Sequence, residues 1–180
     1  ETAVQEARQL VEAGFDAIEV LCDDRWSTRN PAYLANLSQQ YSLPVAVIHA
    51  PFSWRNFGWD GNADPLRLLE HSLALAEMVG AEALVVHLPD RIGTTLVLSG
   101  GRSSFRPALK NPFRPLARFI KEGGLRAMQE KTPVRLCVEN LPKKRYLGMR
   151  VNPFCWNTLA EWPTVHRWLT LDTTHWATFG

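Results

Sequence analysis

Apolar residues recur along this chain in two alternating rhythms. Val4, Ala7, Leu10 and Val11 fall three or four apart over residues 2–13, a helical period closed by Gly14. Residues 17–22 then form a short, nearly unbroken apolar run, the pattern of a strand buried on both faces. The pair repeats. Asn30-Pro31 opens a helix to about Gln40, and Pro44 leads into the strand 45–49. Asp64-Pro65 opens a helix through Leu66, Leu69, Leu73, Ala76 and Met78 to Gly80, followed by the strand 83–87. Residues 113–129 read as a helix with Gly123-Gly124 as its weak point, before the strand 134–139. A helix within roughly 153–167 precedes a last strand, 168–172. Two stretches break the rhythm and are expected as loops: 88–111, rich in Gly, Ser and Thr, and the basic 141–152.

Helices alternating with strands call for parallel pairing and right-handed crossovers. An open doubly wound sheet would carry a Gly-rich phosphate loop in its first strand–helix turn, and no G-x-G-x-x-G occurs. The expected architecture is therefore α/β, a barrel of the TIM (β/α)8 type. Five strands are visible where a closed barrel takes eight. The expectation is one incomplete barrel domain over residues 1–180, without its first strand and its last two. The chain also opens inside an amphipathic helix with no initiator Met, as expected if its start lies further upstream.

Four strands end in a side chain able to bind metal: His49, His87, Glu139 and Asp172, the last followed by His175. Their spacings of 38, 52 and 33 residues are each about one strand-plus-helix unit. A parallel barrel gathers the C-terminal ends of its strands around one mouth, so these groups are expected to converge. Glu139 closes an otherwise hydrophobic run, where a carboxylate without a partner is costly. A metal or catalytic role is the sharper reading, and a salt bridge to Lys143, Lys144 or Arg145 the plainer one. Asp172 and His175 can be aimed into one pocket by the turn that leaves the strand. A carboxylate with an imidazole suits Zn²⁺, Mn²⁺ or Co²⁺ better than Ca²⁺. The alternative for Asp172 is a helix N-cap.

His49-Ala50-Pro51 and His87-Leu88-Pro89 share a His-x-Pro pattern at one strand position. Singly, each His is as readily a hydrogen-bonded rim residue as a functional one. Glu19, polar within the first strand, lines the pocket or pairs with an Arg. Trp54, Trp59 and Trp176 follow strand ends, where an aromatic ring stacks on a sugar or a base; core packing explains most of the seven Trp. His71 and His166 fall in helices as surface or packing residues.

Composition narrows the class. The chain is 46% hydrophobic and 21% charged, an ordinary globular balance with enough apolar mass for a core. No run approaches the ~20 apolar residues of a bilayer span, and no signal peptide opens the chain, so no membrane partner is expected. Three cysteines, an odd number with no close pair, fit a reduced cytoplasmic protein better than a disulfide scaffold. The net charge of +2 hides a gradient: −7 over residues 1–100, +10 over 101–150 and −1 over 151–180. The basic middle attracts a phosphate or polyanion, or is simply a solvated surface.

These residues carry a resemblance. Gly14-Phe15-Asp16-Ala17-Ile18-Glu19, His49-Ala50-Pro51, Val85-Val86-His87, Val138-Glu139-Asn140 and Leu171-Asp172-Thr173-Thr174-His175 together resemble the xylose isomerase-like barrel superfamily, across nearly the whole chain. That group holds sugar and sugar-phosphate isomerases and epimerases beside apurinic/apyrimidinic endonucleases. The resemblance implies a divalent ion (Mn²⁺, Zn²⁺, Co²⁺ or Mg²⁺) on Glu139 and Asp172. It implies that His175 contacts substrate oxygens or the metal, with Glu139 and His175 as catalytic groups. His49 and His87 match metal ligands of the endonucleases, and in the isomerases they line the substrate pocket. The family's later His and final Glu ligands would lie beyond Gly180. The leading expectation is a sugar or sugar-phosphate isomerase or epimerase, with Trp54 and Glu19 also on the substrate. An endonuclease acting on DNA is the alternative. Leu141-Pro142-Lys143-Lys144-Arg145 stands where the endonuclease pattern has a small Gly-containing turn, and counts against it. A non-catalytic barrel is the third reading.

Overall fold

Asn30 and Asp64 start their helices as their positions predict. In the computed structural model, the Asn30 side chain accepts from the Tyr33 N–H at 2.8 Å and Asp64 from the Leu66 N–H at 2.9 Å. Pro31 and Pro65 fill the first helical positions, where a missing N–H is harmless. The structure describes residues 2–51, 64–91, 94–99, 102–107, 111, 113–146, 149–161 and 165–178.

Helices α1 (Thr2–Glu12), α2 (Pro31–Tyr41) and α3 (Pro65–Val79) alternate with strands β1 (Ile18–Leu21), β2 (Val45–His49) and β3 (Ala83–His87). Gly80 ends α3 in the left-handed region at φ 70°, a conformation that glycine adopts without a Cβ penalty. After β3 comes an antiparallel hairpin, β4 (Thr94–Ser99) with β5 (Arg102–Pro107). This corrects the expected loop over 88–111. Thr94-Thr95-Leu96-Val97-Leu98 is a run of β-favouring residues, a strand signal.

The helix expected over 113–129 is two, α4 (Arg114–Lys121) and α5 (Gly124–Gln129), broken where Gly123 takes a φ of 84°. Strand β6 (Arg135–Glu139) follows. The expected loop 141–152 also holds a small hairpin, β7 (Lys144–Tyr146) with β8 (Met149–Val151). Residues 155–161 are mainly turns rather than the start of a helix. Strand β9 (Leu169–Thr170) and a short helix, Thr173–Trp176, complete the order.

The main sheet is parallel throughout, in the order β1-β2-β3-β6-β9. Val20, Ile48, Leu84, Val86, Leu136 and Val138 from the strands meet Leu34, Leu69, Leu75, Leu116, Ile120 and Leu125 from the helices. Each such Leu or Ile removed from water contributes ~1.5–3 kcal/mol, which fastens the helices to the sheet. Parallel strands bring all C-terminal ends to one side. His87 and Glu139 are Cα partners in the β3–β6 register, and His49 sits opposite Val85.

Candidate metal centre at the barrel mouth

Glu139 is the hub. It is the last residue of β6 and is 4% exposed. One carboxylate oxygen, Oε2, lies 2.9 Å from His87 Nε2 and 3.5 Å from His49 Nε2. The two imidazole Nε2 atoms are 2.7 Å apart, with the rings edge to face. Oε2 is buried, and among the described residues no N–H or O–H is aligned to donate to it. Its contact with His87 thus has the length of a hydrogen bond without the alignment.

A buried carboxylate oxygen in that state is a candidate metal ligand. The geometry fits one. Two ligands ~2.1 Å from a common ion stand about 3.4 Å apart at the tetrahedral angle and closer at a right angle. The three atoms span 2.7–3.5 Å, so the two imidazole nitrogens would part slightly to admit an ion. Two imidazoles and a carboxylate suit Zn²⁺, Mn²⁺ or Co²⁺.

The other oxygen of Glu139 faces a second set, with Asp172 and His175. Oε1 is 3.8 Å from His175 Nδ1, which is 3.4 Å from Asp172 Oδ2. His175 Nδ1 also lies 2.8 Å from the Asn140 carbonyl, which can only accept, so Nδ1 carries the proton and Nε2 is the free electron pair. Asp172 is the expected helix N-cap. Its Oδ1 caps the short helix, accepting from the Thr174 and His175 N–H groups at 2.7 and 2.9 Å, which leaves Oδ2 for the site.

Asn140 holds this side together, and no role was expected for it. Wholly buried, it donates through Nδ2 to the Asp172 carbonyl at 2.9 Å and accepts from the Asp172 N–H at 2.7 Å. An amide side chain here substitutes for a strand, continuing the β6–β9 ladder two residues past its end. Asn157 does the same to both backbone groups of Leu141. A polar residue directly after an apolar strand was the available signal for Asn140; Asn157 had none.

Electrostatics follow from the contacts. Burial opposes charge on His49, but the carboxylates of Glu139 and Glu19 outweigh it and raise its pKa to about 9. Burial likewise works against ionised Glu139, and the two imidazoles overcome it, bringing its pKa to about 2. His87 is more deeply buried, and desolvation lowers its pKa. Burial raises the Asp172 carboxyl, but the donors of Thr174 and His175 prevail and lower it.

No protein-family model matches the chain. Among curated proteins, it is 34% identical over 94 residues to the uncharacterized protein ML2432 of Mycobacterium leprae, covering 51% of this chain and 31% of that one. It is 29% identical over 173 residues to the tRNA(Ile)-lysidine synthase of Thermosynechococcus vestitus, covering 82% of this chain and 49% of that protein. Its backbone superposes on the 3-keto-D-glucoside 4-epimerase YcjR of E. coli with a TM-score of 0.55 and 19% identity, covering 95% of this chain and 62% of that one. For a D-psicose 3-epimerase solved with D-fructose, the TM-score is 0.56 at 16% identity, over 97% and 59%. For a family 2 AP endonuclease of Brucella melitensis it is 0.53 at 13% identity, over 94% and 61%.

The fold is that of a TIM-type α/β barrel, present in part.

This partial barrel spans about three fifths of the solved barrels and under a third of ML2432. It brings His49, His87, Glu139, Asp172, His175 and Glu19 to one mouth; Trp54 and Trp59 lie outside the described residues. Glu19 pairs with His49 rather than with an Arg, its Oε1 2.6 Å from Nδ1. The basic surplus of 101–150 is dispersed. Arg114, Arg118, Lys121 and Arg126 are exposed on α4 and α5, and Arg135 opens β6 at the end opposite the mouth. Lys143 and Arg150 reach the mouth, bonded through a backbone N–H and a guanidinium to Thr178. Among the described residues, no helix is long and apolar enough to cross a membrane.

Proposed function

We propose that this chain supplies the metal-holding part of a sugar or sugar-phosphate isomerase or epimerase. The observation that carries it is the buried Glu139 carboxylate, with one oxygen facing His49 and His87 and the other facing Asp172 and His175. When bound, a divalent ion would act there as a Lewis acid on a substrate carbonyl and its neighbouring hydroxyl.

The chain's own residues divide the remaining work. Glu139, with a pKa near 2, stays ionised at working pH and suits a ligand better than a proton carrier. Asp172 offers Oδ2 while Oδ1 fixes its rotamer on the helix cap. His175 presents Nε2 to a substrate oxygen, its ring orientation set by the Asn140 carbonyl. The Arg150 guanidinium, donating to the Thr178 carbonyl, places positive charge beside the short helix, where a sugar phosphate would carry its phosphate.

A second reading is a phosphodiesterase of the endonuclease kind. The convergence of His49, His87 and Glu139 favours it, since two imidazoles make a complete ligand set of their own beside the second one. Divalent ions held by His49, His87 and Glu139 and by Asp172 and His175 would activate water against a phosphodiester.

Metal analysis with two activity assays on the full-length protein separates them. The isomerase reading expects solvent deuterium to enter the carbon beside the carbonyl of a ketose or ketose phosphate, with abasic-site DNA left intact. Cleavage of that DNA without exchange would select the second reading. Glu139→Gln is expected to lose the metal under both. Equal, negligible metal in wild type and Glu139→Gln would overturn both.

A further inference from the structure

Glu19 belongs to neither donor set, yet it is tied to one of their members. Its Oε1 lies 2.6 Å from His49 Nδ1, the ring nitrogen turned away from Glu139. Glu19 is half-exposed on β1, while His49 is nearly buried at the end of β2. The contact therefore runs across the sheet from solvent toward the hub.

An imidazole binds a cation only through a nitrogen that carries no proton. Its two nitrogens are linked: a firm acceptor at Nδ1 keeps the proton there and leaves Nε2 as the electron pair. His175 is treated the same way by the Asn140 carbonyl, 2.8 Å from its Nδ1. Two imidazoles of the mouth thus have Nδ1 engaged by oxygen, one by a backbone carbonyl and one by a carboxylate.

We propose that Glu19 is a positioning residue, which holds the Nδ1 proton of His49 so that Nε2 faces His87 and Glu139 as a metal ligand. This rests on reading His49 as a ligand. Without Glu19, the ring rotates more freely and populates the tautomer with the proton on Nε2, which cannot ligate. A carboxylate also makes the imidazole a stronger base toward the ion.

The test is binding of Co²⁺ alone to the full-length protein, followed by calorimetry and by the visible absorption of the bound ion. Glu19→Ala is expected to weaken binding ~10- to 100-fold and to alter the spectrum, as loss of an outer partner does, while Glu19→Gln keeps an Oε1 acceptor and stays nearer wild type. Unchanged affinity and spectrum in Glu19→Ala would overturn the proposal. So would a Glu19→Gln loss as large as that of Glu19→Ala, which would assign the effect to charge rather than orientation. His49→Ala identifies the other failure: if it binds Co²⁺ like wild type, His49 is no ligand, and the inference falls with that reading whatever Glu19 does. Glu19 is half-exposed and Glu19→Gln is isosteric, so at least one variant folds.

Discussion

Glu139 and His49 form an ion pair of which almost nothing is exposed, at 5% and 12% of their side chains. Such pairs are strongly pH-dependent, because each partner's charge is held by the other. Glu139 has its pKa depressed to about 2, so its contribution is present above the unfolded value of about 4.5 and is lost as pH falls toward 2. His49 has its pKa raised to about 9, so its contribution is complete below about 6.5 and is lost as pH rises through 9. Both flanks report one coupled interaction and are not added. In chelator, the melting temperature of wild type minus that of His49→Gln should therefore peak between about pH 4.5 and 6.5 and shrink on either side. A difference that is flat from pH 4 to 9 would show that the pair does not form without metal.

Strands β6 and β9 share only two backbone pairings, Val138 with Leu169 and Glu139 with Thr170. The Asn140 amide adds two more hydrogen bonds past the strand end and so decides where Asp172 and His175 stand. Asn140→Ala removes the partner of two part-buried backbone groups of Asp172. It is expected to lower stability by ~1–3 kcal/mol in denaturant titration and to weaken the metal site, without disturbing α1 to α3. The break between α4 and α5 makes a separate prediction. A Cβ on Gly124 would lie 2.3 Å from the Phe119 ring, which packs against the core. Gly124→Ala should cost ~1–3 kcal/mol, where an ordinary helix position would gain from Ala; a neutral or stabilised variant would show that the ring moves aside freely. Elements were legible where their signals were local. Caps at Asn30 and Asp64, the glycine stop at Gly80 and the weak point at Gly123-Gly124 are all properties of one or two residues. The β4–β5 hairpin was missed because glycine and serine content pointed to a loop, while its two strands are only six residues each and carry no polar/apolar alternation.

The mouth was legible at the scale of the whole molecule for a topological reason. Parallel strands carry their last residues to one side, so His49, His87 and Glu139 could be expected together before any contact was known. How they share Glu139 was not legible, because a one-residue change of strand stagger alters which imidazole faces which oxygen. The same topology leaves a demand unmet. Among the described strands, β1 and β9 form the two edges of the sheet, each paired on one side alone. Large apolar side chains lie exposed on or beside them: Leu21 at 37%, Trp168 at 36%, Leu169 at 42% and Leu171 at 60%. An unpaired strand edge with apolar neighbours is a template for further pairing. In the solved barrels that this chain matches over about three fifths of their length, further residues remain to meet that demand. Produced by itself, the 180-residue chain should therefore bind a dye such as ANS and self-associate on size exclusion. Replacing Leu169 and Leu171 by Lys should reduce the association, since charge on an edge blocks further pairing. A monomeric 180-residue chain silent toward the dye would show that the two edges are sealed within it.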